Sequence, residues 1–546
     1  MNKLFFGDCL DVLRNEIPDE SVDLVYLDPP FNSSRDYNLL FKAPDGHKSE
    51  AQIEAFQDTW HWGEQAEREF RQLLVQPNTQ TSELLASLRR FLGENDLMAY
   101  LTMMANRLLE LHRSLRSTGS LYLHCDPSAS HYLKVVLDAV FGPESFGNEI
   151  SWLRSQPKSH TTINFPNCRD VILRYTKGNN PKFFKIYTAH DPEYLEKFYR
   201  FQDSDGRRYR LGDLTNPNKD RPNLTYEFLG VTRVWRWTKD RMQKALDEGR
   251  IVQSKPGSIP AFKRYLDDMR GQPISDNWSD IEHLHGSNSE ALGYPTQKPQ
   301  ALLERIIEAS SELGDVVMDP FCGCGTAVHA AQKLGRLWIG IDITHLAISL
   351  IEKRLTDAFP GIEFEVHGTP KDLEGARNLA LRDKYQFQWW ACSLVGAQPW
   401  QDKKKGADRG IDGIIYFQDE KGIPKKIIVS VKGGESVGRA MIADLKNSVE
   451  REKAQIGLFV TLAAPTKEMV KEALTAGFYE SPNFKSGEYP KIQILTIEGL
   501  LNGTQCPRYP DLSLGVYTFK KASQESAAAE PSIDLFNQGS MSISRE

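Results

Sequence analysis

Short apolar runs alternate with amphipathic stretches over the first 150 residues of the chain. Runs such as Val22–Leu27 have the length and composition of buried strands, and apolar residues three or four apart indicate helices between them. In chain order we predict strands over 4–6, 22–27 and 120–125, and helices over 9–15, 97–117 and 131–140. This alternation is typical of a doubly wound, parallel α/β sheet.

The same pattern returns near residue 299. Apolar residues at 302, 303, 306 and 307 share one helix face, and further strands and helices follow as far as residue 358. Between the two patterned regions the periodicity is weak. We therefore predict one sheet assembled from a first half over 1–150 and a second half over 291–360, with residues 151–290 inserted between them.

A separate α/β pattern occupies the C-terminal part of the chain. Four strand-like runs alternate with three helix-like stretches between residues 385 and 497, which predicts a small domain over 385–520. We predict that residues 361–384 are a linker. The last residues, 521–546, are rich in Ser and Ala and are predicted to be disordered.

Composition and charge limit the class of protein. Of the 546 residues, 40% are hydrophobic and 26% charged, as in ordinary soluble proteins, and no apolar run approaches the ~18 residues of a membrane span. The N-terminus acquires charges too early for a signal peptide. Seven cysteines without paired CxxC spacing indicate a reducing compartment, so we expect a cytoplasmic protein with no membrane partner. The net charge of -6 argues against indiscriminate nucleic-acid binding.

The inserted region nevertheless contains a local basic cluster. Between Arg200 and Arg241 there are ten basic and six acidic residues, interleaved with tyrosines and tryptophans such as Trp235. One interpretation is a solvated segment of mixed charge. The other is a nucleic-acid surface, in which cations neutralise phosphates and rings contact bases. The candidate DNA-binding residues are Arg207, Arg208, Arg210, Arg233 and Arg236.

A carboxylate, two prolines and an aromatic ring follow the strand at 22–27 as Asp28-Pro29-Pro30-Phe31. In open α/β sheets, ligands bind at the carboxyl ends of the strands. Proline has no backbone donor, so nearby carbonyl groups stay available to a substrate. We predict that this tetrapeptide holds the exocyclic amine of a nucleobase; the alternative is a simple turn that ends the strand.

A glycine-rich turn, Asp319-Pro-Phe-Cys-Gly-Cys-Gly-Thr326, lies between a predicted strand and a predicted helix. Gly323 and Gly325 allow a tight turn and the close approach of a ligand. The next strand ends at Asp342, where an acid commonly binds both hydroxyls of a ribose. The turn matches neither GxGxxG nor the phosphate-binding loop, so a nucleoside without phosphates is favoured.

Five motifs in a fixed order now carry a family resemblance: Gly7-Asp8, Asp28-Pro-Pro-Phe31, Tyr294-Pro-Thr-Gln-Lys-Pro299, Asp319 to Thr326, and Ile339-Gly-Ile-Asp342. They resemble the β group of S-adenosylmethionine-dependent DNA amino-methyltransferases, in which the catalytic half precedes the cofactor half. The resemblance covers about residues 1–358 and implies a permuted Rossmann-like sheet with a DNA target-recognition region inserted.

The resemblance also implies roles for single residues. Asp319, Pro320, Phe321, Gly323 and Gly325 would surround the methionine part of S-adenosylmethionine, and Asp342 would bind its ribose. Asp8 would lie beside the adenine of the cofactor, although it could instead only cap a helix. Thr296, Gln297 and Lys298 would lie near the methionine end. Asp28, Pro29, Pro30 and Phe31 would be catalytic, with Phe31 stacked on a flipped base.

The resemblance implies methyl transfer to the N6 of adenine. Asp at position 28 resembles the N6-adenine enzymes, whereas a Ser-Pro-Pro form is more usual for N4-cytosine. The chemistry at the two amines is nearly the same, so N4-cytosine stays open. The partner is double-stranded DNA, and a homodimer is left open.

The C-terminal domain carries a second resemblance, through Gly406-Ala-Asp-Arg-Gly-Ile-Asp-Gly413 and Ile427-Ile-Val-Ser-Val-Lys432. These segments resemble the restriction-endonuclease-like fold of the Mrr kind, which implies a Mg²⁺ site at Asp412 with Lys432 as the nuclease lysine. The middle acid of that motif is replaced by Ser430. Either a relocated ligand such as Glu435 completes a cleaving site, in a bifunctional restriction-modification enzyme, or the domain is a weakened module that only binds DNA, which we favour.

Overall fold

The computed structural model describes residues 1–30, 36–42, 48–57, 61–157, 163–285, 288, 290–292, 294, 296–400, 410–420, 423–484, 489–512 and 522–525, with backbone alone at 36–42, 48–57 and 423.

Residues 1–184 contain seven strands and five helices in their described part. The strands are β1 (Lys3–Phe6), β2 (Val22–Leu27), β3 (Asp36–Lys42), β4 (Lys48–Gln57), β5 (Leu115–Cys125), β6 (Phe146–Leu153) and β7 (Arg169–Thr176). The helices are α1 (Cys9–Glu16), α2 (Glu64–Leu74), α3 (Thr79–Leu92), α4 (Asp96–Ser114) and α5 (Ser130–Phe141). A 3₁₀ turn spans Pro143–Ser145.

Residues 185–275 contain mostly short strands. They are β8 (Tyr187–Thr188), β9 (Phe201–Gln202), β10 (Arg208–Asp213), β11 (Thr225–Phe228), β12 (Val231–Val234), β13 (Ile251–Val252), β14 (Ala261–Tyr265) and β15 (Gln272–Pro273). The helices are α6 (Pro192–Phe198) and α7 (Lys239–Asp247), with a 3₁₀ turn at Pro222–Leu224.

The rest of the chain returns to longer elements. Its strands are β16 (Asn277–Trp278), β17 (Val316–Asp319), β18 (Leu337–Asp342), β19 (Glu365–His367), β20 (Gln398–Pro399), β21 (Gly413–Glu420), β22 (Ile423–Lys432), β23 (Ile456–Thr461), β24 (Phe478–Tyr479), β25 (Tyr489–Pro490) and β26 (Ile492–Thr496). Its helices are α8 (Gln300–Ser310), α9 (Thr326–Lys333), α10 (His345–Ala358), α11 (Leu373–Arg382), α12 (Lys384–Leu394), α13 (Arg439–Arg451), α14 (Lys467–Leu474) and α15 (Ile497–Leu501).

Two distant pieces of sequence form one large sheet, as predicted. Among the described residues it has nine strands in the order β16-β6-β7-β5-β2-β17-β18-β1-β19. Strands β2, β5, β17, β18 and β1 run parallel, and β7 is antiparallel to both of its neighbours. All six residues of β2 are buried, which is what helices on both faces of a sheet require.

Residues Lys185–Ser275 form a compact unit of their own. Its described part contains the antiparallel sheet β13-β14-β10-β9 and the hairpin β11-β12. Leu214, Phe228, Trp235 and Met242 form its core, with Tyr226 and Trp237 packed against them. The interpretation in which these rings contact bases is therefore wrong for Trp235, whose side chain is fully buried.

Two predicted boundaries differ from the structure. We placed the start of the inserted region at residue 151, but β7 pairs with β5 and β6 inside the large sheet, and the compact unit begins at Lys185. We predicted a linker over 361–384, but β19 extends the large sheet beside β1 and α11 packs Ala376 and Leu379 into the C-terminal core. β7 is assigned to the large sheet only by its pairing with β5 and β6, and β19 has only three residues, so neither boundary is marked in the sequence.

The C-terminal domain has the sheet order β20-β21-β22-β23-β26 in its described part. One face is covered by α11 and α12, through residues such as Leu379 and Phe387, and the other by α13 and α14. For this domain the sequence predicts strands over 413–417, 427–431, 455–462 and 491–497, and helices over 385–395, 440–452 and 467–476. The structure has each of them to within a few residues, and β21 and β22 are longer than predicted. Most of the tail predicted to be disordered lies outside the described residues.

Within the described ranges, the helices are all too short or too polar to cross a membrane.

Candidate active site

A cavity of about 290 Å³ opens at the carboxyl edge of the large sheet. Parallel strands end on the same side, so the loops after β1, β2, β17 and β18 converge there. The predicted site residues on its wall are Asp8, Asp28, Pro30, Thr296, Lys298, Asp319, Pro320, Phe321, Gly323 and Asp342. The structure thus brings together both halves of the predicted site, across some 290 residues of sequence.

Asp28 follows β2 directly and makes an ion pair with Lys298 through its Oδ2 atom. Its other oxygen, Oδ1, is buried without a hydrogen-bond partner among the described residues. An unpaired buried carboxylate oxygen is costly unless a ligand satisfies it. Pro29 is buried and does not line the cavity, and Phe31 lies outside the described residues.

The glycine-rich turn joins β17 to α9. Asp319 ends the strand, and its Oδ1 accepts a hydrogen bond from the Phe321 N–H at 3.0 Å. Gly323 and Gly325 have φ angles of 49° and 76°, which favour glycine, and Gly325 caps α9 without lining the cavity. Burial raises the pKa of Asp319 well above its ordinary value, and the nearby Asp28 and Asp342 carboxylates raise it further.

Asp342 ends β18 and ties two loops together. Its Oδ2 accepts from the Gly323 N–H at 2.9 Å, and its Oδ1 accepts from the N–H and hydroxyl of Thr344 at 2.9 and 3.0 Å. Burial raises the pKa of Asp342 to about 6, although these hydrogen bonds oppose the shift. Of the two oxygens, Oδ2 accepts a single hydrogen bond and so retains a lone pair for a hydroxyl donor in the cavity.

Asp8 does two things at once. Its carboxylate caps α1 by accepting from the Leu10 N–H at 2.8 Å, which is the helix-capping alternative, and it also lines the cavity. It makes an ion pair of 2.8 Å with Arg107. Arg107 lies on α4, is buried, and was missed in the sequence because its long helix gives no hint of which side chain reaches the cavity.

The segment before α8 closes the cavity on one side with Thr296, Gln297 and Lys298. The Gln297 side chain holds this segment in place, since it donates to the Glu290 carbonyl and accepts from the Leu292 N–H, both at 2.8 Å. Lys298 is thereby presented to Asp28.

A buried chain of hydrogen bonds leads away from the cavity and was also missed. Tyr26 lines the cavity, and its hydroxyl lies 3.0 Å from Nδ1 of His124, whose Nε2 lies 3.2 Å from Oδ2 of Asp170. Tyr26 could have been found, because it precedes Asp28 by two residues and so shares its face of the strand. Asp170 lies on β7, which the sequence did not reveal.

The predicted DNA-binding arginines differ in how many ion pairs and hydrogen bonds they make within their own unit. Arg207 pairs with Asp267 and Asp268 at 2.7 and 2.8 Å. Arg208 and Arg236 donate to backbone carbonyls. Arg210 has a buried Nε atom. Arg233 is exposed on β12, with no ion pair to any described residue.

In the C-terminal domain the structure brings Asp412 and Lys432 to 3.8 Å. Asp412 is buried, and its carboxylate already accepts from Gln388 Nε2 at 2.8 Å and the Val431 N–H at 2.6 Å. Ser430 stands at the place of the second acid and donates to the same carboxylate at 3.4 Å, whereas Glu435 is exposed. In the described parts of the chain, no group of three or more acids, histidines or cysteines could hold a metal ion.

Two family models match the chain. The DNA methylase model matches residues 22–353, and a model described as NACHT-associated inactive Restriction Endonuclease 1 matches residues 386–502. The second match places the C-terminal domain with the restriction-endonuclease-like proteins and does not confirm the Mrr kind or a Mg²⁺ site.

Several curated proteins are similar to the chain. The Type II methyltransferase M.EcaI of Enterobacter cloacae is 34% identical over 47% of this chain and 57% of its own length. The Type III restriction-modification enzyme StyLTI Mod subunit of Salmonella typhimurium is 26% identical over 61% of this chain and 50% of its own. The DNA adenine methyltransferase YhdJ of Escherichia coli is 39% identical over 19% of this chain and 37% of its own.

The chain therefore spans about half the length of the first two of these relatives. The DNA methylase model, in contrast, covers more than half of this chain, including β2, the inserted unit and the strands that end at Asp319 and Asp342. By that match, and with the sheet and cavity described above, the chain belongs to the DNA methylase family.

Proposed function

We propose that the protein is an S-adenosylmethionine-dependent methyltransferase that modifies the exocyclic N6 of adenine in double-stranded DNA. One observation carries the proposal: the Asp28 carboxylate, whose buried Oδ1 has no hydrogen-bond partner among the described residues, shares a cavity with the glycine-rich turn and Asp342. In a member of the DNA methylase family, this oxygen would accept a hydrogen bond from an amine beside a bound nucleoside.

The residues present fit S-adenosylmethionine better than a phosphate-bearing nucleotide. Four carboxylates, from Asp8, Asp28, Asp319 and Asp342, line the cavity against two basic side chains, Arg107 and Lys298. An acidic wall attracts a cation and repels phosphate. Asp342 would bind the ribose hydroxyls, and Asp319 with Gly323 the methionine part. When bound, the cofactor supplies an electrophilic methyl group on a sulfonium.

The residues of this chain would orient the amine. An aromatic amine is a poor nucleophile because its lone pair is delocalised into the ring. Hydrogen bonds from its protons to Asp28 Oδ1 and to the Pro29 carbonyl would favour a pyramidal nitrogen whose lone pair points at the methyl group. Lys298 holds the Asp28 side chain in place for this purpose. The base must leave the duplex to reach the cavity, and Phe31 would stack on it.

Adenine is favoured over cytosine by Asp28 and by the similarity to a relative named as a DNA adenine methyltransferase.

For the C-terminal domain we propose DNA binding without cleavage, because the Asp412 carboxylate already accepts hydrogen bonds from protein donors and the matching family model is described as inactive. The inserted unit would supply phosphate contacts through exposed cations such as Arg233.

The test is transfer of a labelled methyl group from S-adenosylmethionine to unmethylated bacterial DNA, with and without Mg²⁺. We expect incorporation into adenine, no cleavage in either condition, and a loss on the order of 100-fold in Asp28→Ala. Asp412→Ala serves as the matched control, and should methylate at the normal rate. No incorporation by the native protein would overturn the proposal, and Mg²⁺-dependent cuts abolished by Asp412→Ala would overturn the role given to the C-terminal domain.

A further inference from the structure

The buried Tyr26–His124–Asp170 chain has no part in the function proposed above. Tyr26 and Asp28 are two residues apart at the end of β2, so their side chains share one face of the sheet and both line the cavity. The exposed fractions of Tyr26, His124 and Asp170 are 2%, 0% and 2%, so water does not compete for their hydrogen bonds. This series of buried hydrogen bonds therefore reaches the wall of the cavity at Tyr26.

The direction of these hydrogen bonds follows from charge. The Arg154 guanidinium lies 3.2 Å from Oδ1 of Asp170 and balances that carboxylate. Burial opposes ionisation of Asp170, but the His124 hydrogen bond and Arg154 hold its pKa below the ordinary value. Asp170 is therefore an ionised carboxylate, which can only accept a hydrogen bond from the imidazole.

A neutral His124 has one donor and one acceptor. Its Nε2–H faces the Asp170 carboxylate, which can only accept, so Nδ1 carries the lone pair and accepts from the Tyr26 hydroxyl. The Trp152 ring packs edge-on against the imidazole, with centroids 5.7 Å apart, and fixes its orientation. The hydroxyl proton of Tyr26 is thus committed to His124, and its oxygen presents only lone pairs to the cavity.

We propose that Tyr26 is a further substrate-contacting residue whose hydroxyl oxygen accepts a hydrogen bond from the exocyclic amine of the target base, and that His124 and Asp170 are positioning residues that keep it an acceptor. This inference rests on the proposed function. The Tyr26 hydroxyl oxygen and the Asp28 carboxylate would then be two hydrogen-bond acceptors side by side. Such a pair suits an amino group and repels the carbonyl oxygen of a keto base.

The same arrangement favours the transition state. The amine nitrogen gains positive charge as the bond to the methyl group forms, so its protons bind acceptors more strongly than in the free base. The two protons also move out of the base plane as the nitrogen becomes pyramidal. One would then be shared between the oxygens of Asp28 and Tyr26, and the other would go to the Pro29 carbonyl. Loss of the Tyr26 oxygen should lower kcat more than it weakens binding.

Three variants test this in the labelled-methyl assay on unmethylated DNA. In Tyr26→Phe we expect kcat to fall on the order of tenfold, with the KM for DNA and the Kd for S-adenosylmethionine within about twofold of native values. The matched control is Tyr122→Phe, which removes an equally buried hydroxyl, bonded to Ser310 at 2.7 Å but outside the cavity, and should leave kcat unchanged.

The third variant, Asp170→Asn, tests the positioning role. It keeps the shape of the side chain but lets an amide N–H face His124 Nε2, which would turn Nδ1 into a donor and free the Tyr26 proton to point at the amine. We expect a fall in kcat similar to that of Tyr26→Phe, and no further fall when the two are combined, because Asp170 acts through Tyr26.

Native kcat in Tyr26→Phe, or additive losses in the double variant, would overturn this inference. Failure of the native protein to methylate any DNA would instead overturn the proposed function itself, so the two failures are distinguishable.

Discussion

Asp8, Asp28, Asp319 and Asp342 come from four separate segments and meet at one cavity. Each is held differently: Asp8 by Arg107, Asp28 by Lys298, Asp319 by a backbone N–H, and Asp342 by three donors. Burial raises the pKa of both Asp319 and Asp342, and the nearby Asp28 and Asp342 carboxylates raise that of Asp319 further. Burying these carboxylates together costs electrostatic free energy, and a cationic ligand in the cavity would lower that cost.

The raised pKa of Asp342 makes cofactor binding depend on pH. Burial raises that pKa to about 6, so the carboxylate that would accept from both ribose hydroxyls is lost by protonation below pH 6. We expect the affinity for S-adenosylmethionine, measured by calorimetry, to fall by up to about tenfold per pH unit below 6 and to be level above 7. Asp342→Asn should bind weakly at pH 7.5 and change less on acidification. A native affinity that is constant from pH 7.5 to 5 would contradict the assignment.

At the scale of elements, the sequence predicted best where strands are buried on both faces. The mostly apolar β2 and the amphipathic α8 are recognisable from the sequence, and the motifs next to them line the cavity. It predicted poorly where contacts depend on register. β7 is recognisable as part of the large sheet only through its pairing with β5 and β6, so Asp170 and the link to His124 stayed hidden. Arg107 was hidden for a similar reason, because a helix of 19 residues offers many candidates.

Alanine substitutions at two glycines test whether the turn before α9 requires a glycine. Gly325 has a φ of 76°, and a Cβ there would lie 2.8 Å from Cγ1 of Ile351, whereas Gly314 has a similar φ of 81° with open space around it. Gly314→Ala should cost about 1 kcal/mol from the backbone alone. Gly325→Ala should cost about 1–3 kcal/mol more through overpacking and should weaken cofactor binding. Equal thermal midpoints and equal cofactor affinities in the two variants would contradict the role of this turn.

At the scale of the whole molecule, a methyltransferase-family sheet carries an inserted compact unit and a nuclease-like domain. The C-terminal domain also packs beside the cavity, since Trp389 of α12 contacts the cluster of Tyr294, Cys324 and Leu346, and Gln386 accepts from the His345 N–H at 3.2 Å. The inserted unit has a core of its own around Trp235, and cations such as Arg233 are exposed on it. In a chain of net charge -6, such local cations are what would direct it to DNA.

The contribution of the inserted unit can be measured by the salt dependence of DNA binding. Arg233→Ala should weaken binding and lower the slope of log K against log salt by about 0.9, the value for one phosphate contact. Arg207→Ala should leave the slope nearly unchanged, because the Arg207 guanidinium is already paired with two aspartates, but should lower the thermal stability of the protein. An unchanged slope in Arg233→Ala would contradict the proposed phosphate contact.

Methylation of adenine in DNA by this cavity can be measured in cells. DNA is sequenced with long reads from a bacterial host that lacks adenine methylation and expresses either the native chain or Asp28→Ala. We expect N6-methyladenine at a defined sequence motif with the native chain and none with the variant. N4-methylcytosine would contradict the choice of base, and unmodified DNA, or equal modification by the Asp28→Ala variant, would contradict the catalytic assignment.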